Sequence, residues 1–270
     1  MKIWKNTSTL DGYDEGLDFT SDKKLANIAL LGSKPIELID FPKLKGIFRA
    51  GIGKDNVPEN DAIKRGIIVK YPSQDTINII FDETAAFTCS LIFRMLYNLV
   101  GTIDPWKKYP RGGLAERKLL IIGTGNIGSR VYNCMKPLMD VVKFDIIDNK
   151  LSELPILIKN ADCITLHIPK TIDNESFMSK NKLALMKKDA ILINTARGSL
   201  VDEEALYNEL ESGRLKAAFD VFWEEPYNGK LKNFHPNQFF MTPHVASTCN
   251  GFLNGCREGL NILIQELCND

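Results

Sequence analysis

The sequence predicts an α/β chain organised as two units with parallel sheets, and three observations lead there. From residue 119 onward, short apolar runs alternate with stretches of helical pattern. Those runs are rich in Ile, Leu and Val with no polar alternation, as strands covered by helices on both faces should be. A second, smaller set of the same alternation lies upstream.

Taken in order, LANIALLG, KPIELIDF, LKGIFRAG, NVPENDAIKRG and GIIVKYP read as strand and helix in turn. DETAAFTCSLIFRMLYNLVG, residues 82 to 101, repeats its apolar positions at helical spacing and reads as a long connecting helix. Arg94 and Asn98 argue against a membrane span there. Then come LLIIG, NIGSRVYNCMKPLM, VVKFD, LSELPILIKN, DCITLHI, NKLALMKK, AILIN, EEALYNEL, LKAAFDVF and QFFMTPH. One boundary has a clear cause: Asp202 can cap a helix favoured by Glu203 and Glu204 at its positive end, and Gly213 can stop it.

Composition narrows the class of protein. A chain of 270 residues, 44% hydrophobic and 25% charged, reads as globular, with one or two domains. Lys plus Arg and Asp plus Glu stand at 34 each, so no overall field favours nucleic acid or an anionic membrane. The N-terminus MKIWKNTSTLDGYDEG lacks a signal-peptide pattern, which predicts a cytoplasmic protein. The six cysteines form no CxxC pair, and with three histidines no zinc spacing appears, so no metal is predicted. Most of the cysteines read as buried free thiols; a redox role for Cys249 or Cys256 is the sharper alternative.

LLIIGTGNIGSR places Gly123, Gly125 and Gly128 in G-x-G-x-x-G spacing, after a strand and at the start of a helix. This is the Rossmann dinucleotide fingerprint, with glycines for a tight turn, close approach to a pyrophosphate and close helix packing. VVKFD ends in Asp145, 17 residues beyond Gly128, near where an acid binds the adenosine ribose. That carboxylate would repel a 2′-phosphate and favours NAD over NADP. Asp148 is the second candidate for this role, and FAD shares the fingerprint.

Ligands gather at the carboxyl ends of strands in open α/β sheets. Here those ends carry His167 and Pro169, then Thr195, Ala196 and Arg197, then Asp220 followed by Glu224 and Glu225, and finally His244. Arginine's planar fork can hold a carboxylate and polarise the adjacent oxygen. Histidine can exchange a hydroxyl proton near neutral pH, and a glutamate on its other nitrogen would fix the tautomer. Singly, Arg197 could be an ordinary ion-pair member, Glu225 a solvated acid and His244 a loop histidine. Their appearance after successive strands favours a joint role in oxidising an alcohol beside a carboxylate. His235, in KNFHPNQ, reads as a surface-loop residue.

GTGNIG, HIPKT, NTARGSLVDEEAL, AAFDVFWEEP and TPHVAS, in this order and spacing, resemble the D-isomer-specific 2-hydroxyacid dehydrogenase family from about Leu25 onward. The resemblance implies a Rossmann NAD-binding domain at 81–245 and a flavodoxin-like substrate domain at 1–80, completed by a C-terminal helix at 246–270. It implies Arg197, Glu225 and His244 as the catalytic set, with Glu224 a fallback for Glu225. It places Asp220 and the turn at Thr195 and Ala196 near the nicotinamide, His167 and Pro169 along the cofactor cleft, and the amides of Asn126 and Ile127 on the pyrophosphate. RAGIGKDNV is similar to the family's substrate loop, in which amides equivalent to those of Ile52 and Gly53 hold the carboxylate. Related formate dehydrogenases carry glutamine where Glu225 stands, which disfavours that activity.

Family members usually begin with a strand, a helix and another strand before the segment resembling LANIALLG, but only 24 residues precede it here. KIWKN can supply the first strand; TSTLDGYDEGLDFTSDK is too polar and glycine-marked for a packed helix and a second strand, so the substrate domain should be reduced. Lys34, Arg49 and Lys108 are cations available to a phosphorylated substrate, yet Leu30 and Leu31 stand where phosphoglycerate dehydrogenases typically carry an arginine. The implied activity is NAD-dependent interconversion of a D-2-hydroxy acid and its 2-oxo acid, with phosphoglycerate or a hydroxypyruvate/glyoxylate-type acid as candidate substrates. The alternative is an impaired NAD(H)-binding sensor or interaction protein, as the C-terminal binding proteins are in this family. The apolar helix at 82–101 predicts a homodimer, with neither nucleic acid nor membrane as partner.

Overall fold

A computed structural model describes residues 1–269 and divides into two compact units, Met1–Glu83 with the C-terminal segment from Ser247 on, and Thr84–Ala246. The first unit starts with β1 (Lys2–Lys5) and β2 (Asp18–Phe19), then β3 (Ile28–Leu31), β4 (Gly46–Arg49), helix α1 (Glu59–Lys64) and β5 (Ile68–Lys70). All its strand pairs are parallel, in the order β2-β1-β3-β4-β5, the flavodoxin-like arrangement. β3 and β4 are buried along their whole length, which is why IALL and GIFR carry no polar alternation.

The N-terminal segment departs from expectation. Asp18 and Phe19 form a two-residue strand beside Lys2 and Ile3, although the stretch before them makes no helix. Turns such as Tyr13 N–H to Leu10 O and Leu17 N–H to Asp14 O, with Gly12 and Gly16 at φ 81° and 75°, fold it inward. Leu10 thereby becomes fully buried, and Tyr13, Leu17 and Phe19 pack beside it. Four apolar residues too sparse for a helical stripe still find the core once turns replace periodicity. KPIELIDF is likewise less regular than expected, holding only a short 3₁₀ turn at Leu38–Asp40.

Helix α2 (Gln74–Leu96) begins eight residues before the expected start at 82 and ends five before 101. Pro72 ends the preceding strand segment, and Ser73 Oγ accepts the Thr76 N–H at the helix start. Residues beyond its end form a hairpin instead, β6 (Gly101–Thr102) against β7 (Lys107–Lys108).

The second unit then runs β8 (Lys118–Ile122), α3 (Asn126–Met135), β9 (Asp140–Phe144), α4 (Leu154–Asn160), β10 (Cys163–Leu166), α5 (Lys180–Leu185), β11 (Ile191–Asn194), α6 (Glu203–Glu211), β12 (Lys216–Phe219) and β13 (Phe239–Met241). Its six strands are parallel in the order β13-β12-β11-β10-β8-β9. Chain order reverses at β8, so the edge between β8 and β10 is the switch point where a nucleotide crevice opens. One core layer, on α4, α5 and α6, includes Ile158, Leu183 and Leu206; the other, on α2 and α3, includes Ile92, Val131 and Met135. Asp202 Oδ1 accepts the Ala205 N–H at 3.0 Å to cap α6, and Gly213 closes it at φ 70°.

The chain ends in α7 (Asn250–Asn269), shorter than the expected 246–270, whose last residue lies outside the described ones. Phe252, Cys256, Leu260, Leu263 and Leu267 make its buried stripe, packed with Ile28, Leu30 and Phe48 of the first unit. Among the described residues no helix is long and apolar enough to cross a membrane.

Candidate active site

The glycine loop follows β8 directly. Gly123 has φ 92°, and a side chain on it would meet the His167 carbonyl oxygen at 2.6 Å, so both conformation and packing require glycine. A Cβ on Gly128 would lie 2.0 Å from the Gly123 oxygen, whereas one on Gly125 would project into open space. The first and third glycines are thus fixed by the protein itself, and the middle one leaves room for a ligand. Beyond it, α3 starts with Gly125 as its N-cap and no side-chain cap, so the Asn126 and Ile127 amides lack intrahelical partners. An uncapped helix start behind a cleared glycine fits the pyrophosphate of a dinucleotide.

Asp145 at the end of β9 accepts from Thr124 N–H at 2.8 Å, Thr124 Oγ1 at 3.1 Å and Ile147 N–H at 3.1 Å. The Thr124 amide above all holds its carboxyl below the usual range, so it is ionised. Asp148, the second candidate, is exposed. His167 stands across the switch point, its Nε2 3.1 Å from the buried Thr165 hydroxyl. Burial pushes its pKa down to about 3, so the ring is neutral. Pro169 follows on the surface, its carbonyl taken by Asn174 Nδ2 at 2.9 Å.

The Arg197 turn leaves the end of β11. Asn194 is fully buried; its Oδ1 accepts the Ala196 N–H at 3.0 Å and its Nδ2 donates to Arg197 O at 2.8 Å. One strand-end amide thereby ties both ends of the turn. Thr195 sends its hydroxyl inward to Thr88 at 2.8 Å, and Thr88 donates to Thr84 O. Arg197 itself is half-buried, with one guanidinium nitrogen on Ala196 O at 2.8 Å. A Cβ on Gly198 would lie 2.4 Å from Trp223 N, so this turn rests directly on the backbone that leads to Glu225.

His244 Nδ1 lies 3.0 and 2.9 Å from the two oxygens of Glu225, whose Oε1 also accepts the Phe222 N–H at 3.2 Å. An ionised carboxylate only accepts, so the pair places hydrogen on Nδ1 and leaves Nε2 free to exchange a proton. The side chains of His244 and Glu225 remain 34% and 23% exposed, enough for a small molecule to reach them. Glu224 is exposed and makes no contact with His244, which decides between the neighbouring acids. Trp223 Nε1 on Val201 O at 2.7 Å and the stacked rings of Phe222 and Tyr227 brace the glutamate turn.

Two side chains expected at the nicotinamide end point elsewhere. Thr195 is 7% exposed and bound to Thr88, leaving its turn to offer backbone. Asp220 is fully buried; Oδ1 accepts Thr242 Oγ1 at 2.6 Å and Val245 N–H at 2.9 Å, and Oδ2 accepts Ala246 N–H at 2.9 Å. A strand-end carboxylate with no exposed surface gathers donors from the nearest loop.

Within the first unit, the loop after β4 is organised around Arg49, which is 6% exposed. Its Nε donates to Gly53 O at 3.1 Å and Asn56 Oδ1 at 3.2 Å, and Nη1 donates to Ala50 O. Arg49 is therefore a buried organiser, not an available surface cation. With the carbonyls drawn inward, the Ile52 and Gly53 amides have no hydrogen-bond acceptor among the described residues. Adjacent N–H groups without an acceptor suit an anion. Lys34 and Lys108 are exposed.

Sequence reasoning missed Asn194, Thr88 and Asn56 as anchors; the legible signal was a polar residue closing an apolar strand, as Asn194 closes AILIN. Among the thiols, Cys89, Cys163 and Cys256 are buried, Cys249 is intermediate, and Cys134 and Cys268 are exposed, so burial holds for half of them. Burial pushes the Cys256 thiol up to about 12, against a redox role for it. His235 is exposed; its Nδ1 accepts the Met241 N–H and its ring stacks on Phe240.

Comparison with known proteins adds independent support. The chain is 36% identical to D-3-phosphoglycerate dehydrogenase of Methanocaldococcus jannaschii over 204 residues, 68% of this chain and 38% of that protein. It is 32% identical to glyoxylate reductase of Thermococcus litoralis over 250 residues, 82% of this chain and 73% of that one. The chain thus spans well under half of the former relative and most of the latter. Its fold matches the structure of Aquifex aeolicus D-lactate dehydrogenase complexed with NAD and lactic acid, with a TM-score of 0.79 at 22% identity, covering 100% of this chain and 96% of that one. Residues 101–246 match the profile described as D-isomer specific 2-hydroxyacid dehydrogenase, NAD binding domain. Because that match covers over half of the chain and takes in the glycine loop, the Arg197 turn and the Glu225–His244 pair together, the protein belongs to the D-isomer specific 2-hydroxyacid dehydrogenase family.

Proposed function

We propose that this protein is an NAD-dependent oxidoreductase that interconverts a small D-2-hydroxy acid and its 2-oxo acid. The carrying observation is the Glu225–His244 contact at 2.9 Å, which leaves one imidazole nitrogen able to exchange the hydroxyl proton. Arg197 holds the substrate carboxylate and C2 oxygen through its fork, on a turn fixed by Asn194. Within the first unit the Ile52 and Gly53 amides are donors suited to an anion, and within the second Asp145 favours NAD because an ionised carboxylate repels a 2′-phosphate. Bound nicotinamide supplies or accepts the hydride at C2. In the oxidising direction the hydroxyl proton passes to Nε2 of His244, whose positive charge Glu225 then stabilises.

A small unphosphorylated acid of the glyoxylate or hydroxypyruvate kind suits the site better than a phosphorylated one. Leu30 and Leu31 are fully buried where an arginine would be needed, and Arg49 is committed to its own loop. The intact proton-exchange pair disfavours the sensor reading. The protein works as a cytoplasmic homodimer; a monomeric mass in light scattering at micromolar concentration would count against the dimer. The decisive experiment is NADH consumption over glyoxylate, hydroxypyruvate, pyruvate, 2-oxoglutarate and phosphohydroxypyruvate. Turnover of the small acids is expected. NADH binding without turnover on any of them would favour the sensor, and preference for phosphohydroxypyruvate would correct the substrate class.

A further inference from the structure

Three side chains of the first unit gather at the carboxyl ends of β4 and β5. Lys54 directly follows Gly53 in the loop after β4, Glu59 opens α1, and Tyr71 follows β5. The Tyr71 hydroxyl donates to Glu59 Oε1 at 2.5 Å. Lys54 Nζ lies 3.6 Å from the same oxygen and 4.9 Å from the centroid of the Tyr71 ring. One tyrosine thus holds the carboxylate with its hydroxyl and the ammonium with its face. Burial first, and then the bond to Glu59, push the Tyr71 pKa up, so the phenol keeps its proton at neutral pH and acts as the donor.

A glutamate in the first turn of a helix ordinarily serves the helix, whose N-terminal amides favour negative charge. Asp61 already supplies an acid to that turn, pairing with Lys64 at 3.1 Å, and Glu59 is drawn to Tyr71 instead. The charges around it suggest why. From residue 49 to residue 59 the charged side chains are Arg49, Lys54, Asp55 and Glu59, two cations against two carboxylates. Lys70, just before Tyr71, is taken by Glu266 at 2.9 Å and adds nothing to the balance. Without Glu59 the segment that carries the Ile52 and Gly53 amides would hold one net positive charge and would favour a dianion over a monoanion. The carboxylate is the fixed member of its pair, 36% exposed against 67% for Lys54.

We infer that Glu59 is a specificity-determining residue: held by Tyr71 beside Lys54, it balances the charge of the loop that carries the Ile52 and Gly53 amides and so tunes that loop to a singly charged acid. This names the singly charged 2-oxo acids as the substrate class of the proposed reaction and rests on that reaction for its kinetic readout. Anion binding to the loop is read without any turnover.

Glu59→Gln keeps an amide oxygen for the Tyr71 hydroxyl and removes only the charge. A purely electrostatic effect grows with the charge of the ligand, so the fold-change for a dianion is the square of that for a monoanion. With the full chain at constant ionic strength, acetate and sulfate should each shift the Ile52 and Gly53 amide resonances. E59Q should tighten sulfate about threefold and acetate by less than about twofold, and K54M should weaken both in the same proportion. In turnover, E59Q should lower KM about threefold for the dianion 2-oxoglutarate and by less than about twofold for the monoanion glyoxylate. Equal factors for the two anions in E59Q would mark a structural role for Glu59 and overturn the inference. Unchanged sulfate binding in E59Q overturns it too, as does a wild-type loop whose amides respond to neither anion. If the wild-type protein turns over no oxo acid, the dehydrogenase reading fails by itself, and the ratio of sulfate to acetate affinity still decides the role of Glu59.

Discussion

Both units carry a loop at the carboxyl end of a parallel sheet that is organised around a buried charged side chain, and the two charges are of opposite sign. In the cofactor unit, Asp220 gathers two backbone N–H groups and a hydroxyl beneath the His244 loop. In the first unit, Arg49 gathers the carbonyls of Ala50 and Gly53 and the Asn56 amide oxygen beneath its loop. What each centre consumes decides what the loop has left to offer. A carboxylate uses up donors, so the His244 loop presents a side chain. A guanidinium uses up acceptors, so the loop at Ile52 and Gly53 presents amide donors and suits an anion.

The sharpest way to test the comparison is to remove the side chain that the donor-consuming centre presents. His244→Ala should lower kcat by roughly 10²–10⁴-fold while leaving NADH binding nearly unchanged. Normal turnover in a folded His244→Ala protein would remove the histidine from the reaction. Removing the opposite centre should act through binding. Arg49→Met leaves the Ala50 and Gly53 carbonyls without their donor, at about 1–3 kcal/mol each, so thermal melting should fall. The KM for the oxo acid should rise about tenfold or more, the equivalent of about 1.4 kcal/mol of lost loop order. A destabilised variant with an unchanged KM would show that Arg49 supports the sheet and not the anion site.

A smaller contrast lies inside the cofactor unit. Gly128→Ala forces a Cβ to within 2.0 Å of the Gly123 oxygen and should destabilise folding by about 1–3 kcal/mol. Gly125→Ala meets nothing within 4 Å, so its melting temperature should hold while NADH affinity drops. Equal melting losses in both would mean that the middle glycine answers to the fold and not to a ligand.

The smallest effect concerns acid. His167 titrates near 6.5 when unfolded and is pushed down to about 3 by burial in the folded protein. A depressed folded value means that the unfolded chain binds the extra proton. This contribution to stability is therefore complete above about pH 6.5 and is lost as pH falls toward 3. Urea unfolding should give a stability lower by up to about 2 kcal/mol at pH 5 than at pH 7 from this group, and His167→Asn should reduce that difference. An unchanged difference in the variant would assign the acid sensitivity to other groups.

The pattern of strands was legible because burial on both faces leaves an unbroken apolar signature, as in LLIIG and AILIN. The glycine spacing was legible because backbone contact at Gly123 and Gly128 tolerates no other residue. Asp202 could be read as a cap because capping is local, and its bond to Ala205 spans three residues. The limits of α2 were not legible, since the apolar rhythm of residues 82 to 101 runs on past Leu96 into a hairpin whose pairing is a matter of partners rather than periodicity. Leu10, Tyr13 and Leu17 were hidden for the same reason: turns, not spacing, bring them into the core.

By itself, then, the sequence determined the alternation of strands and helices, the nucleotide loop and the identity of the residues at each strand end. Those follow from interactions within a few residues or from the chemistry of a single side chain. Tertiary structure alone decided which glutamate meets His244, and that Arg49 and Asp220 are buried centres rather than surface ligands. Each of those outcomes depends on which carbonyls, amides and hydroxyls from other loops arrive at the same buried charge.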